Sequence, residues 1–101
     1  MKSLSLIDKG MEINKAAKVI RAINHPLRKR ILKLLFERSQ AIVTEIYVYL
    51  RIEQSVASQH LKILRQEKIV ETKRDGKATI YKLNYHTLTK LERIVTEIVT
   101  E

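Results

Sequence analysis

The run Gln54-Ser55-Val56-Ala57-Ser58-Gln59-His60-Leu61-Lys62-Ile63-Leu64-Arg65, followed by Gln66-Glu67, decides the fold. Its apolar residues Val56, Leu61, Ile63 and Leu64 alternate with polar ones at helical spacing, which predicts a helix from Gln54 to about Glu67. Ser55, Ser58, Gln59, Lys62 and Arg65 recur at intervals of three and four, opposite Val56, Leu61 and Leu64. They form one solvent-facing stripe. Immediately upstream, Ile42 to Leu50 predicts a short helix, capped by Thr44 or begun slightly earlier, with Ile46 and Leu50 turned inward. Arg51-Ile52-Glu53 is the tight connection between the two, and a pair of short helices so joined is a helix-turn-helix.

Downstream of Lys68 the period changes. Val70, Thr72 and Arg74 alternate with Glu71, Lys73 and Asp75, Asp75-Gly76 supplies a hairpin turn, and Thr79-Ile80-Tyr81-Lys82-Leu83 reads as the returning strand. From about Tyr85, the residues Leu88, Leu91, Ile94, Val95, Ile98 and Val99 restore the helical period to the end of the chain. Upstream, Ile7, Met11, Ala16, Val19, Ile20 and Ile23 mark a first helix from Leu6 to Ile23, and Asn24-His25-Pro26 breaks it. Proline suits the first turn of a new helix, so a second runs from about Pro26 to Arg38, with Leu27, Ile31, Leu34 and Leu35 inward. The expected fold is mainly α with a small β-hairpin: a winged helix-turn-helix of five helices, one domain over residues 1–101.

Composition supports this architecture and narrows the chemistry. The 101 residues carry 20 Lys plus Arg against 11 Asp plus Glu, a formal charge of +9, and 45% are hydrophobic, enough for a core. With 2 glycines and 1 proline, neither a turn-rich all-β fold nor a Gly-rich phosphate loop is expected. With no cysteine there is no disulfide framework, thiolate zinc site or thiol nucleophile. No apolar run reaches the ~18 residues of a membrane span, and the start of the chain lacks signal-peptide features, so a cytoplasmic location is expected.

The positive surplus points to a polyanion, and the order helix, turn, helix, basic hairpin says which. In a winged helix-turn-helix the second helix enters the major groove of double-stranded DNA and the hairpin lies against neighbouring backbone. Gln54, Ser55, Ser58 and Gln59 are short polar side chains suited to base edges, Lys62 and Arg65 suit phosphates, and Lys73, Arg74 and Lys77 flank the hairpin turn. The first and last helices carry more apolar surface than one small core covers. Ile7, Met11, Val19, Ile20, Leu88, Leu91, Ile94, Val95 and Ile98 are therefore expected at a homodimer interface, with the two terminal helices covering each other within one chain as the competing reading.

The stretches Asn24-His25-Pro26-Leu27-Arg28, Ile31-Leu32-Lys33-Leu34-Leu35, Ser55 to Arg65, and Gly76-Lys77 to Tyr81-Lys82-Leu83 resemble the ArsR/SmtB family of bacterial repressors. The resemblance covers nearly the whole chain. Its specific parts are the His-Pro-Leu-Arg opening and Ser58-Gln59-His60-Leu61-Lys62-Ile63-Leu64, at the right separation. It implies a homodimeric winged-helix transcriptional repressor, reading an imperfect palindrome and dimerising through its first and last helices.

Metal-sensing members of that family place Cys-Val-Cys in the third helix, where this chain has Glu45-Ile46-Tyr47-Val48-Tyr49-Leu50. A phenol of pKa about 10 is a poor ligand for thiophilic metals, and the tyrosine pair is expected to pack. At the last-helix zinc site of relatives, the matching residues are Asn84, His86, Glu97 and Thr100, of which His86 and Glu97 are plausible donors. No metal, no cofactor and no metal response are expected. Lys68 stands where relatives often have glycine, so the end of the fourth helix is expected to differ. His25 is expected to help begin the second helix, and His60 to pack or meet phosphate. No acid pair, nucleophile with base, or metal cluster suggests an enzyme. The positive residues spread over the second and fourth helices and the hairpin, unlike a membrane-surface helix. A low-specificity architectural or antitoxin-like DNA-binding protein is the alternative.

Overall fold

The computed structural model describes residues 6–100. Its elements are α1 (Leu6–Ile23), α2 (Pro26–Arg38), β1 (Ala41–Ile42), α3 (Val43–Leu50), α4 (Gln54–Gln66), β2 (Val70–Asp75), β3 (Ala78–Leu83) and α5 (Tyr85–Thr100). These are the expected five helices and wing, with an additional strand. Ala41 and Ile42 pair with Tyr81 and Ile80, so the sheet is three-stranded and antiparallel in the order β1-β3-β2. A two-residue strand has no alternation to betray it, and Ile42 read instead as the start of the third helix. In the structure Ile42 is the residue before that helix, and its N–H donates to Glu45 Oε1 at 2.9 Å, half of a capping box that an isoleucine cannot complete.

The core is built from Ile31, Leu34 and Leu35 of α2, Ile46 and Leu50 of α3, Leu61 and Leu64 of α4, and Ile69, Val70 and Leu83 at the sheet. Val19, Ile23 and Leu27 pack against it from the α1–α2 corner, and Leu88 from α5. The hairpin pairs Val70 with Leu83 at its base and Asp75 with Ala78 at its tip. The turn is therefore Gly76-Lys77, one residue beyond the expected Asp75-Gly76. Only Gly76 of the two has a positive φ, at 63°, the pattern of a turn that takes glycine at its first central position.

Both helices of the helix-turn-helix end the same way. The Arg51 N–H reaches Val48 O at 3.2 Å and the Ile52 N–H reaches Tyr47 O at 3.1 Å; the Lys68 N–H reaches Arg65 O at 3.0 Å and the Ile69 N–H reaches Leu64 O at 2.9 Å. This pair of bonds is the Schellman ending, whose first residue must be left-handed, and Arg51 (φ 57°) and Lys68 (φ 58°) accept that conformation. The end of α4 thus keeps the geometry that glycine usually provides, contrary to the expectation from Lys68. A lysine there costs ~1 kcal/mol. Burial of Ile69 beside Leu64 offsets it by holding the chain in the turn. Lys68→Gly is accordingly expected to raise the unfolding free energy by about 0.5–1 kcal/mol in denaturant titration, whereas Gly76→Ala lowers it by at least ~1 kcal/mol.

Candidate nucleic-acid interface

The exposed face of α4 is defined by what the helix buries. Ala57, Leu61 and Leu64 are buried and fix the helix against α2 and α3. Gln54, Ser55, Ser58, Gln59, Lys62 and Arg65 are all exposed. The stripe expected from spacing is present as a surface. Glu53, which precedes the helix in extended conformation, was not singled out from sequence; its carboxylate lies at the positive end of the α4 dipole, where negative charge is favoured.

Lys73, Arg74 and Lys77 are exposed on the hairpin. Arg74 Nη1 donates to Thr79 Oγ1 across the ladder at 2.9 Å, which lays the guanidinium along the hairpin near its tip. Lys82 pairs with Glu71 at 3.4 Å, so strand β3 loses part of its positive character to its neighbour. Such an exposed pair contributes little stability, on the order of 0–1 kcal/mol.

The terminal helices divide the expected interface set. Ile94 is only 5% exposed within the single chain, and Val19 and Leu88 already pack on the core, so for these three the covering within one chain holds. Leu91 is half-buried. Met11 (54%), Ile20 (46%), Val95 (39%) and Ile98 (49%) remain open, as do Ile13 and Val99, and the side chain of Ile7 lies outside the described residues. Arg93 links α1 and α5 through Glu12 at 3.5 Å and holds Glu97 at 2.9 Å.

Where α1 ends, the two halves of the sequence signature meet. His25 is the N-cap of α2, its Nδ1 accepting from the Leu27 N–H at 3.1 Å. Arg28 donates through Nε to the Ala22 carbonyl, through Nη2 to Arg21 O at 3.5 Å, and its Nη1 lies 3.3 Å from His60 Nδ1. The His25 and His60 rings are 4.6 Å apart between centroids. Burial, then His25, then Arg28 lower the His60 pKa from its ordinary 6.5. Sequence reading gave each histidine a separate role; only their three-dimensional neighbour, Arg28, joins them.

The residues at the positions of the family's metal sites are engaged or apart within the single chain. Tyr49 is exposed rather than packed, with the Arg38 guanidinium 4.6 Å above its ring, a cation–π arrangement that turns the phenol face toward a positive charge. Glu97 is held by Arg93, whose pKa it raises through the hydrogen bond and its charge. His86 and Glu97 stand three turns apart on α5, ~16 Å along the axis, too far to share an ion within one chain. Among the described residues there is no group of three or more His, Cys, Asp or Glu able to hold a metal.

A three-helix core that presents the second helix of a helix-turn-helix beside a three-stranded wing is the architecture of winged-helix transcriptional regulators. Residues 25–72 match the model of the "Bacterial regulatory protein, arsR family". An uncharacterised HTH-type transcriptional regulator of Methanocaldococcus jannaschii is 32% identical over 84 residues, 83% of this chain and 94% of that protein. The transcriptional repressor PagR of Bacillus anthracis is 31% identical over 74 residues, 73% of this chain and 74% of its own. Its crystal structure superposes with a TM-score of 0.72, at 27% identity, covering 85% and 95% of the two chains. An HTH-type regulator of Mycobacterium tuberculosis is 37% identical over 67 residues, and the match spans 59% of that relative's length. The chain belongs to the arsR family. Among the described residues, no helix is long and apolar enough to cross a membrane.

Because the α4 stripe is solvent-exposed, its side chains contribute little to folding. Ser55→Ala, Ser58→Ala and Gln59→Ala are each expected to leave the unfolding free energy within ~0.5 kcal/mol of the parent, measured by thermal or denaturant unfolding, while Leu61→Ala lowers it by ~2–5 kcal/mol.

Proposed function

We propose that the protein is a sequence-specific transcriptional repressor that binds an imperfect palindrome in double-stranded DNA as a homodimer and does not respond to metals. The exposed polar stripe of α4, opposite the buried Ala57, Leu61 and Leu64, carries this reading. A helix anchored in its own domain through Ala57, Leu61 and Leu64 keeps Ser58 and Gln59 for base edges and Lys62 and Arg65 for phosphates. The name of the Bacillus anthracis relative supports repression, and the charge of +9 supports a DNA partner. The open side chains of Met11, Ile20, Val95 and Ile98 support the dimer, since a two-fold protein suits a two-fold site with half-sites about one helical turn apart. Tyr at positions 47 and 49, and Glu97 engaged by Arg93, support indifference to metals.

Selection of bound DNA from a random pool, followed by footprinting, tests the central reading; recovery of no consensus favours a low-specificity architectural role. On the selected site Gln59→Ala should lose about 1–3 kcal/mol and little on random DNA. Arg74→Ala or Lys77→Ala should weaken both DNAs alike and flatten the dependence of log affinity on log salt by about 0.9 for each phosphate no longer neutralised. Equal losses on both DNAs for Gln59→Ala overturn the assignment of α4 to base reading. Sedimentation should show a dimer that dissociates in Ile98→Glu or Val95→Glu, with operator affinity falling alongside. A parent monomer that binds its site tightly rules that interface out. Zn(II), Cd(II) and As(III) should leave operator affinity unchanged, and calorimetry that detects a tight zinc site coupled to DNA release reverses the conclusion.

A further inference from the structure

The contacts of Arg28 make one fixed point out of three helices. Its guanidinium donates to the carbonyls of Arg21 and Ala22, which belong to the last turn of α1 and lack partners inside that helix, and reaches His60 on the reading helix. An arginine only donates, so His60 Nδ1 must carry the lone pair and its proton must sit on Nε2. The same argument holds next door. A backbone N–H only donates, so His25 Nδ1, which caps α2, must also be unprotonated. The folded junction therefore requires two neutral imidazoles, 4.6 Å apart, beside a permanent cation. Protonation of either ring turns an acceptor into a donor that faces an existing donor, and adds positive charge next to Arg28.

The charged and titratable groups that act on His60 are His25, from the α1–α2 connection, and Arg28, from α2; no carboxylate of α1, α2, α3 or β2 bonds either ring among the described residues. Resting on the DNA-binding function inferred above, we propose that Arg28, His25 and His60 form an acid-labile latch that sets α4 against the end of α1, so that acidification loosens the reading helix and weakens operator binding. Arg28 is a positioning residue in this scheme. The latch also explains why the His-Pro-Leu-Arg opening and the distant Ser-Gln-His-Leu run belong together: they are two sides of one contact. The sign follows from linkage. Because the His60 pKa is lower in the fold than the ordinary 6.5, its neutral form is favoured on folding, and its contribution is complete above pH 6.5 and lost as pH falls toward the folded value.

The test titrates the full chain against its selected DNA at pH 7.5 and 5.5 at constant ionic strength. The parent should lose about tenfold in affinity on acidification, while the double variant His25→Asn, His60→Asn should bind as the parent does at pH 7.5 and stay flat, because an amide oxygen accepts without titrating. His86→Asn should keep the parental response. Arg28→Lys should weaken binding about tenfold at pH 7.5 with an unchanged salt slope, since one ammonium cannot span two carbonyls and a ring nitrogen. Affinity that rises on acidification, or Arg28→Lys at parental affinity, overturns the latch and makes His60 a phosphate ligand or an inert packing residue. Chemical-shift titration of the DNA-free protein decides the case independently of function. The amides of Arg21, Ala22 and α4 should move with the His60 midpoint, below 6.5, and lose that common midpoint in Arg28→Lys. Independent movement of α1 and α4 refutes the latch even if DNA binding holds, and a parent that binds no DNA defeats the functional reading while leaving this measurement to judge the latch.

Discussion

The division of α4 into a buried side and an open side governs the molecule. Ala57, Leu61 and Leu64 are buried, and the two leucines insert among Ile31, Leu34, Leu35 and Ile46, so the helix that carries the exposed polar stripe is also a structural member of the core. A close-packed interior resists shifts of even a methylene, which means that the angle at which Ser58 and Gln59 are presented is set by side chains on the far side of the same helix. The exposed polar residues and the residues that hold the fold are thus different residues of one element, at neighbouring positions.

Electrostatics acts over a longer range. With 20 cationic side chains against 11 anionic ones, the largest share of the surplus lies on α2, and α1, α4 and the hairpin carry smaller shares, while Arg93 joins Glu12 and Glu97 between the terminal helices. At physiological salt the field of exposed charges decays within ~8 Å, so only charges close to a bound polyanion add to its hold, and the distant surplus acts on approach. The terminal helices also leave Met11, Ile20, Val95 and Ile98 exposed.

Periodicity made the helices legible: α1 and α2 begin and end where the apolar spacing and Asn24-His25-Pro26 place them, and α5 starts at Tyr85. The polar stripe of α4 was legible for the same reason through Leu61 and Leu64, although the third inward residue is Ala57, and Val56, expected there, is only half-buried at the side of the helix. Features that depend on pairing across the sequence were hidden. Strand β1 is only Ala41–Ile42 and exists because Tyr81 and Ile80 lie beside it. The position of the hairpin turn depends on the match of Asp75 with Ala78, which a dipeptide signal cannot fix. Lys68 was misjudged because local cost was weighed without the burial of Ile69 that outweighs it. Ile94 is claimed by its own chain because α1 lies across α5, a fact about tertiary packing. His60 and Arg28 are 32 residues apart, and each alone is an ordinary surface-compatible residue.

The extra strand makes the hairpin mechanically uneven. Where β1 lies alongside Ile80 and Tyr81 the sheet is three strands wide and joined to the core, whereas from Arg74 and Thr79 outward it is a two-stranded ribbon, a structure with little stability of its own. The base is a stiff mount and the tip a compliant finger. A finger that bends beyond Thr79 moves without disturbing the mount, so displacement at the tip is not transmitted through the sheet to the core that holds α4.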